Sequence, residues 1–200
     1  MVNIAVLGCG RIGAMHAANV AAHPRTNLEM VFDVNEMAVT NVSNAHQVQA
    51  ARSAQEVFAS DRVQAVLVAT ATPTHADYIE MAIAAGKPVL CEKPIDLNLE
   101  RVNRRAEVVS KSTVPIQLGF NRRYDPGHAA AREACLAGKI GDLHQVIITA
   151  RDPALPARAY LEEAGGLFRD MTIHDFDLAR FMLNEEPVDV FALANALIDP

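Results

Sequence analysis

The chain predicts an α/β protein, with a doubly wound parallel sheet over residues 1–120 and the start of a second, α+β domain over residues 121–200. Three observations carry this reading. Short apolar runs recur, each followed by a stretch with helical character. The runs are nearly continuous in apolar residues rather than alternating, as strands covered on both faces require. The rhythm then changes near residue 140, where a longer β-branched run and a Pro-rich loop replace it.

Taken in order, Val2-Asn3-Ile4-Ala5-Val6-Leu7 is the first strand and residues 12–22 the first helix. Residues 28–32 form a strand and residues 36–46 a helix. Gln64 to Ala69 is an almost uninterrupted apolar strand, and residues 76–85 an Ala-rich helix that Gly86 stops. Val89-Leu90-Cys91 is a strand, residues 99–110 a helix, and residues 115–118 a last short strand. The second part opens on the β-branched strand 143–150, continues through Asp152-Pro153-Ala154-Leu155-Pro156, and enters one long helical stretch over 167–183. A strand begins at Val188 and runs to Leu197. Two strands do not make an independently stable sheet, so this second domain reads as incomplete, the front portion of a longer protein.

Half the residues are hydrophobic, enough for one full core. Eighteen basic against 24 acidic residues give a net charge of −6 with no basic run, which argues against nucleic acid as a partner. No apolar stretch is long enough to span a bilayer, and a strand beginning at Val2 leaves no room for a signal peptide. Cys9, Cys91 and Cys135 are odd in number and far apart, the pattern of reduced thiols in a cytoplasmic protein. No cysteine–histidine spacing suits a metal.

Gly8-Cys9-Gly10-Arg11-Ile12-Gly13 fits G-x-G-x-x-G, follows a strand, opens a helix, and has Asp33 twenty residues after Gly13 at the end of the second strand. In that context the loop is a Rossmann dinucleotide site: a tight turn at Gly8, close backbone approach to a pyrophosphate at Gly10, and close helix–strand packing at Gly13. The N-terminal turn at Arg11 and Ile12 supplies backbone N–H groups. Asp33 accepts ribose hydroxyls and repels a 2′-phosphate, favouring NAD over NADP, with Arg11 as the counterweight.

Ligands of such a sheet lie beyond the carboxyl ends of its strands. Two segments end there. Thr70, Ala71, Thr72, Pro73 and His75 are placed to line the dinucleotide; the alternative is helix capping by Thr72, or by Thr74 with Asp77, and the two roles are compatible. The other segment is Glu92-Lys93-Pro94, in which Glu92 and Lys93 are also candidates for cofactor contact. Lys93 at the strand tip can donate to a substrate oxygen near the nicotinamide. The plainer reading, a Glu92–Lys93 surface pair, is weakened because neighbours in a strand point to opposite faces.

The stretch Gly165 to Asp177 adds an acid–base pair. If it is one helix, Asp170 and His174 share a face at i and i+4, with Leu167, Met171, Leu178 and Phe181 on the apolar side. A histidine can take a hydroxyl proton. On spacing alone, a pair that only stabilises the helix is the simpler account.

AGKPVLCEKP, together with G-x-G-R-I-G, resembles the glucose–fructose oxidoreductase, inositol dehydrogenase and rhizopine-catabolism family, and FRDMTIHDFDLARF is similar to its inositol dehydrogenase branch. The resemblance covers essentially the whole chain. It implies an N-terminal Rossmann domain followed by an open, mostly antiparallel sheet, with Lys93 at the nicotinamide end before an often-cis proline. It also implies a catalytic set of Lys93, Asp170 and His174, and it reverses the preference for a purely structural Asp–His pair. Asp175 and Asp177 then read as helix-surface or supporting groups. The segments Gly119 to Pro126 and Ala150 to Pro153 resemble the same branch, making Arg123 and Asp152 candidates for hydrogen bonds to a polyol, with a domain-junction salt bridge as the alternative for each. The implied activity is NAD-dependent oxidation of a ring secondary alcohol of a cyclitol or sugar, without a metal, in a protein that is a homo-oligomer at full length. Another polyol dehydrogenase, a non-catalytic NAD-binding regulator and an inactive fragment remain the alternatives. His16, His23, His46, His128 and His144 carry little weight in this reading.

Overall fold

The structure, a computed structural model, describes residues 1–152, 154, 156 and 158–195, and for residues 159, 162 and 163 the backbone alone. Pro153 and Leu155 of the Pro-rich loop, and the end of the strand expected to reach Leu197, lie outside the described residues. The chain divides into two units. One is Met1–Phe120 with Arg158–Asp170, the other Asn121–Ala157 with Met171–Pro200. The sequence places a single cut after residue 120.

The first unit is a six-stranded parallel sheet. Its elements are β1 (Val2–Leu7), α1 (Arg11–Ala22), β2 (Thr26–Phe32), α2 (Glu36–His46), β3 (Gln49–Ala50), α3 (Ala54–Ala59), β4 (Ala65–Val68), α4 (His75–Ala84), β5 (Val89–Cys91), α5 (Leu99–Ser110) and β6 (Ile116–Leu118). The strand order is β3-β2-β1-β4-β5-β6. Order reverses between β1 and β4, where a doubly wound sheet opens its ligand crevice. The continuous apolar strands are explained by the packing. Along β1, Ala5 and Leu7 face one cluster with Val68, Cys91, Val57 and Ile79, while Val6 faces the other with Val31, Leu67, Ala17 and Val42. Successive side chains alternate faces, and helices cover both, so the buried positions of β1, Ala5 to Leu7, are all apolar.

Helix starts follow local chemistry. Asn35 caps α2 by accepting from the N–H groups of Met37 and Ala38, Ser53 caps α3 through Glu56, and Asn98 caps α5 through Glu100 and Arg101. Residues 158–170 return to this unit as two short helices, α7 (Arg158–Glu163) and α8 (Leu167–Asp170), after α6 (Pro126–Leu136) of the second unit.

In the second unit α6 packs on α9 (Ile173–Leu183). Leu178 is buried, and Arg132 donates to the carbonyl of Phe181 at 2.8 Å while lying over its ring. The strands expected at 143–150 and from Val188 are not found: among the described residues neither segment joins a ladder. Ile147 is 79% exposed and Phe191 86% exposed. β propensity is realised only against a partner edge, and neither run meets one here.

Candidate active site

The glycine loop sits where β1 hands over to α1. Gly8 has φ +93°, and a Cβ there would lie 2.3 Å from the carbonyl oxygen of Ala69. A Cβ on Gly13 would lie 1.8 Å from the oxygen of Gly8. Both glycines are therefore demanded by the protein's own packing. Gly10 differs: nothing lies within 4 Å of its would-be Cβ. It is the open face of the loop, and α1 starts beside it with no side-chain cap, leaving first-turn N–H groups at Arg11 and Ile12 for an anion. Asp33 is aimed at the same loop. Its Oδ2 accepts from the N–H of Cys9 at 2.6 Å and its Oδ1 from the N–H of Asn35 at 2.8 Å. Each carboxylate oxygen keeps acceptor capacity for a ribose hydroxyl. Arg11 is exposed. These residues fit a dinucleotide.

The β4 end is braced rather than capped. α4 has no side-chain cap; Thr74 donates its hydroxyl to the carbonyl of Ala71 at 2.8 Å and so accepts from Thr70 at 2.7 Å. The capping alternative for Thr72 and Thr74 is thus set aside. His75 is 2% exposed, with Nε2 2.9 Å from the carbonyl of Thr70 and Nδ1 2.7 Å from that of Pro94. It ties the β4 loop to the β5 loop.

At the β5 tip the two charges part company. Glu92 meets His16 of α1, Oε1 to Nε2 at 2.8 Å. Lys93, followed by a cis peptide to Pro94, reaches the other way. Its Nζ donates to the carbonyl of Asp170 at 2.8 Å and to Asp170 Oδ1 at 3.0 Å. The Glu92–Lys93 surface pair is therefore not formed as a contact. Burial alone would raise the Glu92 carboxyl, but the His16 hydrogen bond and charge, with the N–H and ammonium of Lys93, outweigh it and hold the group below its usual range. Burial, aided by the neighbouring Asp33 and Glu92 charges, pushes the thiols of Cys9 and Cys91 up to about 12. Neither is a nucleophile at neutral pH.

Asp170 does not sit one turn before His174 on a continuous helix. α8 ends at Asp170 and α9 begins at Ile173. In an unbroken helix the Asp170 carbonyl would accept the N–H of His174. Here that carbonyl accepts Lys93, and the His174 N–H turns to Met171 at 3.1 Å. The carboxylate of Asp170 is held by Lys93 and by Tyr160, whose hydroxyl lies 2.8 Å from both its oxygens. Leu167, expected on the apolar side of that helix, is 64% exposed. Tyr160 and His16 are the residues that sequence reasoning passed over. Their partners, Asp170 and Glu92, lie 10 and 76 positions away, and no local spacing announces either pair.

Within the first unit these groups line one cleft of about 690 Å³, walled by Ile12, the 69–73 segment, Glu92, Lys93, Tyr160 and Asp170. It places a cation and a carboxylate in one cleft with Ile12 of the first turn of α1, an arrangement able to bind a hydroxylated carbon and stabilise charge on its oxygen.

The second unit holds the remaining candidates. His174 is half-buried in the first turn of α9. Arg123 grips Asp177 at 2.7 and 2.8 Å, a salt bridge inside the second unit rather than the domain-junction pair weighed as its alternative. Asp177, read as a helix-surface or supporting group, is 3% exposed, and Asp175 pairs with Arg122. Asp152 is exposed in a loop. Among the described residues no cluster suits a metal ion, and no helix is long and apolar enough to cross a membrane.

Two family models match the chain. One, described as an oxidoreductase family with an NAD-binding Rossmann fold, matches residues 2–120, and the GFO/IDH/MocA C-terminal domain matches residues 128–200. The chain belongs to the GFO/IDH/MocA oxidoreductase family. Its first domain is that family's NAD-binding Rossmann domain, as the glycine loop and strand order require. An inositol 2-dehydrogenase of Rhizobium meliloti (strain 1021) is 46% identical over 99% of this chain and 60% of its own length. A solved myo-inositol dehydrogenase from Corynebacterium glutamicum superposes with a TM-score of 0.87 at 42% identity, covering 91% of this chain and 55% of that one. A scyllo-inositol dehydrogenase from Lactobacillus casei, solved with bound NAD(H) and scyllo-inositol, gives a TM-score of 0.82 at 30% identity, covering 93% and 57%. The chain spans about 60% of the length of the curated relatives it matches.

Proposed function

We propose that this chain forms the cofactor site and part of the substrate site of an NAD-dependent dehydrogenase that oxidises a ring secondary alcohol of a cyclitol to a ketone, with myo-inositol as the leading substrate. The observation that carries the reading is the Lys93 ammonium, fixed at the β5 tip by Asp170 in the cleft that Ile12 and the 69–73 segment line. The names borne by the relatives narrow the alcohol to an inositol.

When bound, NAD would supply the hydride acceptor for the carbinol carbon. The chain's own residues do the rest. First-turn N–H groups of α1 hold the pyrophosphate, and Asp33 holds the ribose hydroxyls. Two of the three N–H groups of Lys93 are committed to Asp170, and the third donates to the substrate oxygen as charge builds on it. His174 takes the hydroxyl proton as general base, and Asp170 orients Lys93 and the polyol. Arg123 supports α9 through Asp177, and Asp152 is available to a polyol hydroxyl. Reduced thiols suit a cytoplasmic enzyme, and the full-length protein is a homo-oligomer. The test is a panel of cyclitols and sugars with NAD and with NADP, using the full-length natural protein. NAD reduction with an inositol supports the reading; reduction with none of the panel removes it.

A further inference from the structure

The cleft that holds Lys93 and Asp170 also presents the phenol of Tyr160, which has no role so far. Its hydroxyl lies 2.8 Å from Oδ1 and 2.8 Å from Oδ2 of Asp170. A phenol carries a single proton and a carboxylate carries none, so Tyr160 is the donor, and its proton bridges the two oxygens. Lys93 takes Oδ1 of the same carboxylate from 3.0 Å. The two side chains thus share Asp170, which is shielded enough (14% side-chain exposure) for both bonds to matter. Tyr160 itself is half-exposed on the cleft wall. The geometry has a consequence. A carboxylate can turn about its last side-chain bond. Donation to both oxygens at once stops that rotation, and so fixes where Lys93 must sit to reach Oδ1 and where its third N–H points.

We propose that Tyr160 is a positioning residue of this active site, holding the Asp170 carboxylate in the orientation that aims Lys93 at the substrate oxygen. The proposal rests on the dehydrogenase reading above. Tyr160→Phe deletes only the hydroxyl and keeps the half-exposed ring, so the fold is retained.

The experiment compares wild type, Tyr160→Phe, Asp170→Asn and the double variant, all in the full-length natural protein. Turnover of myo-inositol, NAD affinity, and the acetylation rate of Lys93 by acetic anhydride, followed by peptide mass spectrometry, are measured for each. Tyr160→Phe is expected to lower kcat by about 10- to 100-fold, the worth of one hydrogen bond to a charged group, with NAD affinity unchanged. The double variant should be no slower than Asp170→Asn, because Tyr160 acts only through that carboxylate. Lys93 should acetylate severalfold faster in Tyr160→Phe as its pairing loosens. Multiplying losses in the double variant would overturn the proposal, as would wild-type kcat in Tyr160→Phe. If the wild-type protein oxidises no cyclitol, the dehydrogenase reading fails by itself. The acetylation rate then decides alone: a faster rate supports the positioning role and an unchanged rate rejects it.

Discussion

Replacing Lys93 with methionine removes the ammonium and keeps most of the apolar stem. In the folded protein Lys93 makes two bonds, to the carbonyl and to Oδ1 of Asp170, and its side chain is 16% exposed. Losing them costs stability, but not all of two charged bonds, because Tyr160 still donates to the carboxylate. A net loss of about 1–3 kcal/mol is expected. For a chain of this size each kcal/mol lowers the thermal midpoint by about 2–4 °C. The catalytic loss should be larger and of a different kind. A donor placed where negative charge develops contributes about 10²–10³ in rate, or about 3–4 kcal/mol of barrier. NAD affinity should not change, since the glycine loop and Asp33 make no contact with the Lys93 ammonium. Stopped assays of NAD reduction, cofactor titration and thermal unfolding on the same preparation separate these terms. A Lys93→Met protein that keeps near-normal turnover, while losing only thermal stability, would refute the reasoning and leave Lys93 as a structural strut for the 158–170 segment.

Other outcomes follow from particular contacts. Gly13→Ala puts a Cβ 1.8 Å from the Gly8 oxygen, so the loop must shift; NAD binding should be lost and the thermal midpoint lowered, as titration and calorimetry would show. Asp33→Ser removes the acceptor held by Cys9 and Asn35, and should narrow the preference for NAD over NADP in a direct comparison of the two cofactors. The Glu92 carboxyl is held below its reference value of 4.5, so its pairing stabilises the fold above the unfolded value and is lost as pH falls through the depressed one. His16→Asn should move that acid loss to higher pH in midpoint-versus-pH scans. Arg123→Ala strands the buried carboxylate of Asp177 and should cost about 1–3 kcal/mol of stability without changing the KM for the polyol.

The sheet was legible because burial on both faces writes itself as continuous apolar runs, and the glycine loop because two of its glycines answer to backbone clashes that no other residue avoids. The separation of Glu92 from Lys93 was legible too, from the period of two in a strand. Other features escaped the sequence for physical reasons. β3 is two residues long and α3 six, too short for periodicity to register. The break after Asp170 follows from a carbonyl captured by Lys93, 77 residues earlier in the chain, and no local pattern at 167–177 records that competition. The pairing of Arg123 with Asp177 escaped because the partner lies 54 positions on. The β-branched runs at 143–150 and from Val188 have strand composition, but composition does not supply an edge to pair with.

The central claim is that the Lys93–Asp170 cleft belongs to an NAD-dependent cyclitol oxidation. Its most direct test is initial-rate formation of NADH by the full-length natural protein with myo-inositol and NAD, set beside Lys93→Met and His174→Asn. The account predicts measurable turnover in the wild type, stronger with NAD than with NADP, and a fall of about 10² or more in each variant at unchanged NAD affinity. A wild-type protein that binds NAD tightly yet reduces none of it with any inositol would contradict the account.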